Sequence, residues 1–556
     1  MTDETLDPAD LPRRQPDAPP DTPPDTPSVA QAPAPASVTD AAGEVDWPKI
    51  FLGFGGMVIG QFMAILDIQI VAASLTQIQA GIGASADQIS WVQTIYLLAE
   101  VVIIPLTAYL TRMFGTRPVY VVAAGAFIVT SILTGLSTSV EMMIIMRAFQ
   151  GLAAGAMIPA VFATAMTVFP PDKRVTANVI VGLIVTLAPT IGPTLGGHLT
   201  DSLGWRWLFF INAPVGLLVI FLVGRYATFD QGDRSLAKGV DWWGVGLMTV
   251  FLLSMQYVIE EGAKEGWFDE PLILWLTVAA ALTGAAFIWR QLTYAKPIVS
   301  LRPFQDRNFS LGMVMNFVAG ASLFGGTFIL PLFLGQIRHY SAAEVGTTML
   351  ISGLVMFISA PIAGRLVRAM DARIPMVLGF GLAAYGVGLG ARVTEDWGFW
   401  QFAGLQAWRG IGVMIAMIAA QQMSVSTLPV SMMKDASSLV NLIRNVGGAV
   451  GLAVLTTVLT HQTAVHYGDL TAAVSLGNLE SQTMLEGLTS MMEARGVFDP
   501  EGAARKAFAG MLNRQASVLA FGDAFFVLAA GCAMAAVLAL FAAPAKAPTA
   551  PAPGGH

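Results

Sequence analysis

The chain has 556 residues, of which 55% are apolar and only 12% charged, with a formal net charge of −7 and a mean hydropathy of +0.64. Soluble domains carry roughly a quarter charged residues, so this composition excludes a soluble fold: there is too little polar side chain to coat one. There is no basic domain to neutralise phosphates, which argues against a nucleic-acid partner, and the single cysteine, Cys532, excludes an intrachain disulfide or a cysteine-based metal site.

Residues 1–47 are rich in Pro, Asp, Ala and Thr. They cannot bury enough apolar surface to fold and lack the apolar core of a signal peptide, so a disordered cytoplasmic tail is expected. Apolar stretches near the roughly 20 residues that cross a hydrocarbon core then follow. The first six lie at about 50–73, 89–111, 119–136, 142–168, 175–198 and 208–227, making an N-terminal six-helix bundle over 48–227. Two more, at 242–260 and 272–291, occupy a linker over 228–307. The last six, at 310–333, 345–367, 374–392, 399–423, 438–460 and 516–543, form a C-terminal bundle over 308–543, before a short cytoplasmic tail at 544–556. The expectation is an all-α membrane protein with fourteen spans in a 6 + 2 + 6 arrangement.

Basic residues fall in alternate loops: Arg112 and Arg117, Lys173 and Arg174, Arg225, Arg234 and Lys238, Arg290, Lys296, Arg302 and Arg307, Arg368 and Arg373, then Lys434. The positive-inside rule places these loops and both termini in the cytoplasm. The longest opposite loop, about 461–515, is expected outside.

The halves repeat one another. PLTAYLTRMFGTR at 105–117 and PIAGRLVRAMDAR at 361–373 share Pro, Leu and two Arg at identical spacing, and FQG at 149–151 corresponds to WRG at 408–410. Parallel six-helix repeats with a binding site between them are a transporter architecture.

Ionisable residues inside spans are costly unless paired or wetted, and they mark ion and substrate pathways. Asp67 lies in the first span, Glu100 in the second and Arg147 in the fourth; Arg409 and Arg444 fall in the twelfth and thirteenth, close enough to span ends to reach water. Two acids and an arginine in one half suggest a site where a proton and a cationic substrate compete for carboxylates, because burial favours the protonated acid and a neighbouring cation the ionised one. Arg147 is expected to act as the structural or gating partner of Asp67. His198, His339, His461, His466 and His556 show no ligand spacing, so neither metal nor cofactor is expected. Asn316, Phe324 and Gln336, on the ninth span, are candidates for lining the substrate cavity. No nucleotide loop or nucleophile–base constellation points to a receptor, an enzyme or ATP-driven transport.

APTIGPTLGGHL at 188–199 sets Gly192, Pro193, Gly196 and Gly197 along the fifth span, and GLAAG at 151–155 gives the fourth a small-residue face; such residues let helices bend and approach closely. In this order the motifs resemble those of the major facilitator superfamily, in particular its fourteen-helix drug:proton antiporters of the EmrB/QacA type. RAFQG resembles that superfamily's fourth-helix motif, which implies that Arg147, Gln150 and Gly151 act in proton coupling. GPTLGG resembles the antiporter motif of its exporters. LDIQIVAASL at 66–75 resembles the first-helix motif whose acid is Asp67, and WRWLFFINAPVG at 205–216 and PIVSLRPFQDRNF at 297–309 are similar to stretches typical of the subfamily. The loop after the second span departs from the family pattern: its first Gly is Ala108 and its Asp is Arg112, while Leu110, Gly115 and Arg117 remain. The resemblance implies proton-coupled export of bulky lipophilic or cationic compounds. The Gram-negative EmrB branch, which the outer loop and the stretch 512–529 resemble, further implies a periplasmic EmrA-like adaptor and an outer-membrane channel. Export of one endogenous metabolite or siderophore is the alternative within the same fold, and an importer or uniporter is disfavoured by the antiporter motif.

Overall fold

The computed structural model describes residues 46–294, 296–340, 342–474 and 479–543; nearly all of the N-terminal tail and the whole of the C-terminal tail lie outside these residues. The described residues are helical without a strand. In hydrocarbon no water satisfies backbone N–H and C=O groups, so an apolar stretch must satisfy its own by coiling into a helix. Fourteen helices are long and apolar enough to cross a membrane. The first six are α1 (Trp47–Ala73), α2 (Ala86–Phe114), α3 (Thr116–Gly135), α4 (Val140–Thr167), α5 (Pro171–Leu203) and α6 (Asn212–Tyr226). The next two are α7 (Trp242–Glu261) and α8 (Pro271–Thr293). The last six are α9 (Arg307–Gln336), α10 (Ala342–Ala369), α11 (Arg373–Leu389), α12 (Phe399–Ser426), α13 (Met433–Ala473) and α14 (Pro500–Ala539).

Polar caps fix several helix starts. Ser85 and Gln88 form a reciprocal capping box on α2, and the Asp241, Asp306 and Asp499 carboxylates accept from the first free N–H groups of α7, α9 and α14.

Every expected span has its helix, and the largest differences are at α13 and α14. Apolar sequence ends near 460 and resumes near 516, yet α13 runs to Ala473, a helix spans Leu479–Ala494, and α14 begins at Pro500. The stretch expected as a loop is rich in Ala, Leu, Met, Glu and Gln, which favour helix whether or not lipid surrounds them. The 41 residues of α13 reach about 60 Å at 1.5 Å per residue, roughly twice a hydrocarbon core. The ends of α13 and α14 therefore project past the bundle, with His466 Nε2 2.8 Å from the Asp523 carboxylate where they leave it.

The halves meet with approximate two-fold logic. In the first, α1 packs on α4, α5 and α6, and α2 on α4; in the second, α9 packs on α12, α13 and α14, and α10 on α12. Across the junction α5 lies along α10, and α13 lies against α2 and α4. The first arginine that the repeated segments share crosses this junction in both halves, to the other half's fifth helix: Arg112 donates to Asp435 at 2.6 Å, and Arg368 to Thr176 Oγ1 at 3.0 Å. Asp230, in the linker, accepts from both Thr116 of the first half and the Lys434 ammonium of the second, and so ties the halves on the same face. Helix α7 packs against both α2 and α13, and α8 against α7, so the inserted pair covers one lateral edge of the junction.

Small residues set the closest helix approaches. Gly151 of α4 faces the Tyr96 backbone of α2, and a Cβ on Gly155 would stand 2.5 Å from the Glu100 carbonyl. On α5, Gly192 faces Gln69, and a Cβ on Gly196 would stand 2.8 Å from the Ile70 carbonyl of α1, whereas one on Gly197 would meet nothing within 4 Å. The two adjacent glycines of one motif therefore do different work. Gly196→Ala should destabilise by about 1–3 kcal/mol, the usual overpacking cost, while Gly197→Ala should stay within about 0.5 kcal/mol. Thermal melting of the purified variants in detergent checks this, and equal shifts would contradict it.

Candidate transport site

The first half holds a buried ionic network. Asp67, three-quarters of the way along α1, and Arg147, near the start of α4, are both 0% exposed and form a direct ion pair. The second carboxylate oxygen of Asp67 accepts Gln150 Nε2 at 3.1 Å and Asn212 Nδ2 at 2.7 Å. Arg147 also donates through Nε to the Val92 carbonyl at 3.1 Å and through a terminal nitrogen to Gln150 Oε1 at 3.0 Å. Its guanidinium stacks 4.2 Å from the centre of the Tyr96 ring, a favourable place for a desolvated cation. Asn212 continues to Ser131 Oγ at 2.9 Å, and that hydroxyl donates to the Phe209 carbonyl at 2.9 Å. One cluster thus joins α1, α3, α4 and α6.

Asp67 acts in these contacts only as an acceptor. Arg147 Nη2 is buried without a partner among the described residues, which leaves one donor direction open for a rearranged contact.

The second carboxylate, Glu100, is 4% exposed and lies on the face of α2 turned to the other half. Its Oε1 accepts Asn445 Nδ2 of α13 at 3.3 Å, and Oε2 has no partner. The acid identified from position alone therefore spans the junction between halves.

The arginines of the second half differ from what their positions suggest. Arg409 and Arg444 are 2% and 4% exposed, so neither extends to water; each lies within its helix on a buried face. Arg409 donates to Ser352 Oγ at 2.8 Å and to Gln406 Oε1 at 3.2 Å. Arg444 donates to Asn316 Oδ1 at 3.0 Å and to Gln421 Oε1. Among the described residues no carboxylate pairs with either. Arg444 lines a small cavity of about 10 Å³ between the halves, with Phe162, Asn178, Gly182, Met417, Ile418 and Gln421, and its guanidinium sits 5.2 Å from the Phe162 ring centre. Drug-sized ligands occupy about 300–1,000 Å³, so substrate binding requires the halves to separate from this arrangement.

The proposed lining of α9 needs correction. Asn316 is 0% exposed and reaches the cavity only through Arg444. Phe324 packs over Gly448 of α13. Gln336, the last residue of α9, is exposed: the helix runs further than its apolar core, which carries Gln336 out of the bundle. Arg117 is likewise exposed, at the start of α3. Sequence reasoning missed Asn212 and Ser131, as well as Asn178, Gln421 and Asn445; uncharged amides and hydroxyls in apolar helices give no signal until the fold shows what they face. No group of three or more His, Cys, Asp or Glu suited to a metal occurs among the described residues.

Comparison with known proteins agrees with this geometry. The Major Facilitator Superfamily profile matches residues 57–452. The chain is 36% identical over 492 residues to the colistin resistance protein EmrB of Acinetobacter baumannii, covering 88% of this chain and 95% of that protein. It is 30% identical over 487 residues to the multidrug export protein EmrB of Haemophilus influenzae, covering 87% and 94%. Among solved structures the proton:xylose symporter XylE superposes with a TM-score of 0.56 at 11% identity, covering 90% of this chain and 98% of that one, a likeness of fold.

The energetic weight of the buried pair can be measured. Asp67→Ala leaves Arg147 charged in an apolar interior and should cost about 3–5 kcal/mol. Adding Arg147→Gln should recover a substantial part of that loss. Melting temperatures of the two single variants and the double variant give the coupling; strictly additive losses would contradict a functioning ion pair.

Proposed function

The chain belongs to the major facilitator superfamily, in its fourteen-helix EmrB/QacA branch, and on that premise we propose that it is a proton-coupled multidrug efflux transporter of the bacterial inner membrane. The observation that carries the reading is the buried Asp67–Arg147–Gln150–Asn212 network, which offers one carboxylate to either an internal cation or a proton. Asp67 and Glu100 carry protons and Arg147 sets the charge of Asp67. When Asp67 is ionised it holds Arg147 and ties α1 to α4 and α6. When a proton replaces the cation these ties loosen, and the two bundles rock about the junction. Gln150, Gly151, Gly192, Pro193, Gly196 and Gly197 permit the close, shape-dependent contacts that this motion remakes, and Arg117 marks the loop after α2.

The basic loops support cytoplasmic termini, with the bundles at 48–227 and 308–543 joined by the linker at 228–307. The Arg112–Asp435 and Asp230–Lys434 pairs then lie on the cytoplasmic face and hold it closed, and the projection at about 461–515 extends into the periplasm. Its length past the bundle and the fully exposed Phe498 favour a docking role toward a periplasmic adaptor, with an outer-membrane channel beyond.

A second reading of the substrate comes from Arg444. The cavity carries a fixed cation and no carboxylate, which favours lipophilic acids over the cationic compounds that intramembrane acids alone suggest. Apolar bodies would lie against Phe162, Met417 and Ile418.

Everted membrane vesicles with an imposed pH gradient test these points, with ethidium and pyrene-dodecanoate as cationic and acidic probes. Transport should collapse when the gradient is dissipated, and Asp67→Asn should abolish it. Arg444→Gln should slow the acidic probe by about tenfold, the loss of one charge-assisted contact of about 1.4 kcal/mol, and spare ethidium. Gradient-independent transport would contradict the proton mechanism, and equal slowing of both probes would contradict the role of Arg444.

A further inference from the structure

The inserted helices are the part of the fold that six-plus-six symmetry leaves without a role, and α7 brings two carboxylates to the junction of the halves. Its last turn carries Glu260 and Glu261, half-buried, beside α2. Thr94 Oγ1 of α2 donates to Glu261 at 3.4 Å, and the exposed Lys264 ammonium reaches the same carboxylate at 2.9 Å. One turn deeper, Gln256 Nε2 donates to Glu260 at 2.7 Å. Gln256 is 3% exposed, and its carbonyl oxygen is buried without a partner. Further along the seam between α2, α7 and α13 lies Glu100, 96% buried, with Oε2 also unpartnered. The Thr94–Glu261 and Trp91–Tyr257 contacts set this end of α7 alongside α2, less than two helical turns of α2 from Glu100.

The acids thus descend from an exposed surface to a buried one, and the two deepest polar groups have open acceptor atoms. Aromatic contacts close the seam from the lipid: Trp91 of α2 stacks 5.7 Å from Tyr257, and Trp267 Nε1 donates to Thr457 of α13 at 3.1 Å. The charged and titratable groups facing this line are few. Lys264 and Glu265 lie at its outer end, and Tyr257 flanks α7. At the inner end are Tyr96 on α2, Arg147 on α4, and on α13 Arg444, itself held by Asn316 and Gln421.

We infer that α7 supplies a proton-access route, in which Glu261 and Glu260 pass protons between the surrounding water and Glu100 along the α2–α7–α13 seam. Each step breaks one carboxylic O–H bond and forms another on the neighbouring carboxylate, directly or across a water held by the Gln256 carbonyl. Carboxylate chains of this kind serve as proton relays in membrane transporters. The inserted pair is then a working part of the transporter rather than a spacer between bundles. This inference rests on the reading that Glu100 carries protons.

The test uses the full-length protein in proteoliposomes, with ethidium and pyrene-dodecanoate as probes and gradient-driven transport recorded against the pH on the Glu261 side. Glu260→Gln should lower gradient-driven transport by about tenfold or more and flatten its dependence on that pH. Glu260→Asp should restore both, and Glu265→Gln, on the exposed loop beyond α7, should match wild type. Substrate binding by intrinsic fluorescence verifies that each variant is folded. Wild-type rate and pH profile in Glu260→Gln, alongside loss of coupling in Glu100→Gln, would overturn the α7 route and leave Glu100 as carrier. Unimpaired coupling in Glu100→Gln, or a wild type that moves neither probe along the gradient, would overturn both readings. Failure of Glu260→Asp to restore the pH profile would assign Glu260 a packing role and overturn the relay.

Discussion

The ion pair between Asp67 and Arg147 is the constraint around which the first half is arranged. Taking either charge out of water costs several kcal/mol, and the interior offers that energy back only if geometry and further hydrogen bonds are good. Both conditions are met: the carboxylate accepts from Arg147, Gln150 and Asn212, and the guanidinium stacks on Tyr96. Such a cluster needs α1, α4 and α6 at close range. Gly56 of α1, where a Cβ would stand 2.7 Å from Leu222 of α6, and Gly60, where one would stand 2.8 Å from Met157 of α4, supply that range. Apolar packing alone would not select this arrangement, because lipid is as apolar as the helix faces. The polar pair gives the bundle a specific register.

The two halves share a plan but divide the chemistry. Arg112 and Arg368 are equivalent in the repeat, and each reaches across to the fifth helix of the other half. In the interiors the correspondence fails. The first half balances its arginine with an acid. The second holds Arg409 against Gly326 and Arg444 against amides, and among the described residues neither meets a carboxylate. The buried acids accordingly lie on α1 and α2, while a fixed positive charge faces the central cavity from α13. Glu100 and Asn445 connect the two regimes, bonding across the junction that must open for a substrate to enter.

Much of this was legible in the sequence because hydrocarbon imposes simple rules. Charge content and span lengths fix the membrane class, and the fourteen spans follow from hydropathy. Asp67, Glu100 and Arg147 stand out because ionisable groups are rare at that depth. What the sequence hides is direction. Gln336 and Asn316 share a helix, yet one is exposed and the other fully buried. Arg409 and Arg444 look able to reach water from their helices, but their buried faces hold them inside. The projection of α13 and α14 is invisible to hydropathy because helix propensity does not end where apolar sequence does. Asn212, central to the network, is an ordinary amide until the fold places Asp67 2.7 Å from it.

The central claim is that the Asp67 carboxylate exchanges its hold on Arg147 for a proton during transport. The direct measurement is proton release from the purified, detergent-solubilised protein on addition of substrate, followed with a pH indicator in weakly buffered solution. The account predicts release on substrate addition to the wild type and none from Asp67→Asn that still binds the same substrate. Equal release from both proteins, or substrate binding to the wild type without any release, would contradict it.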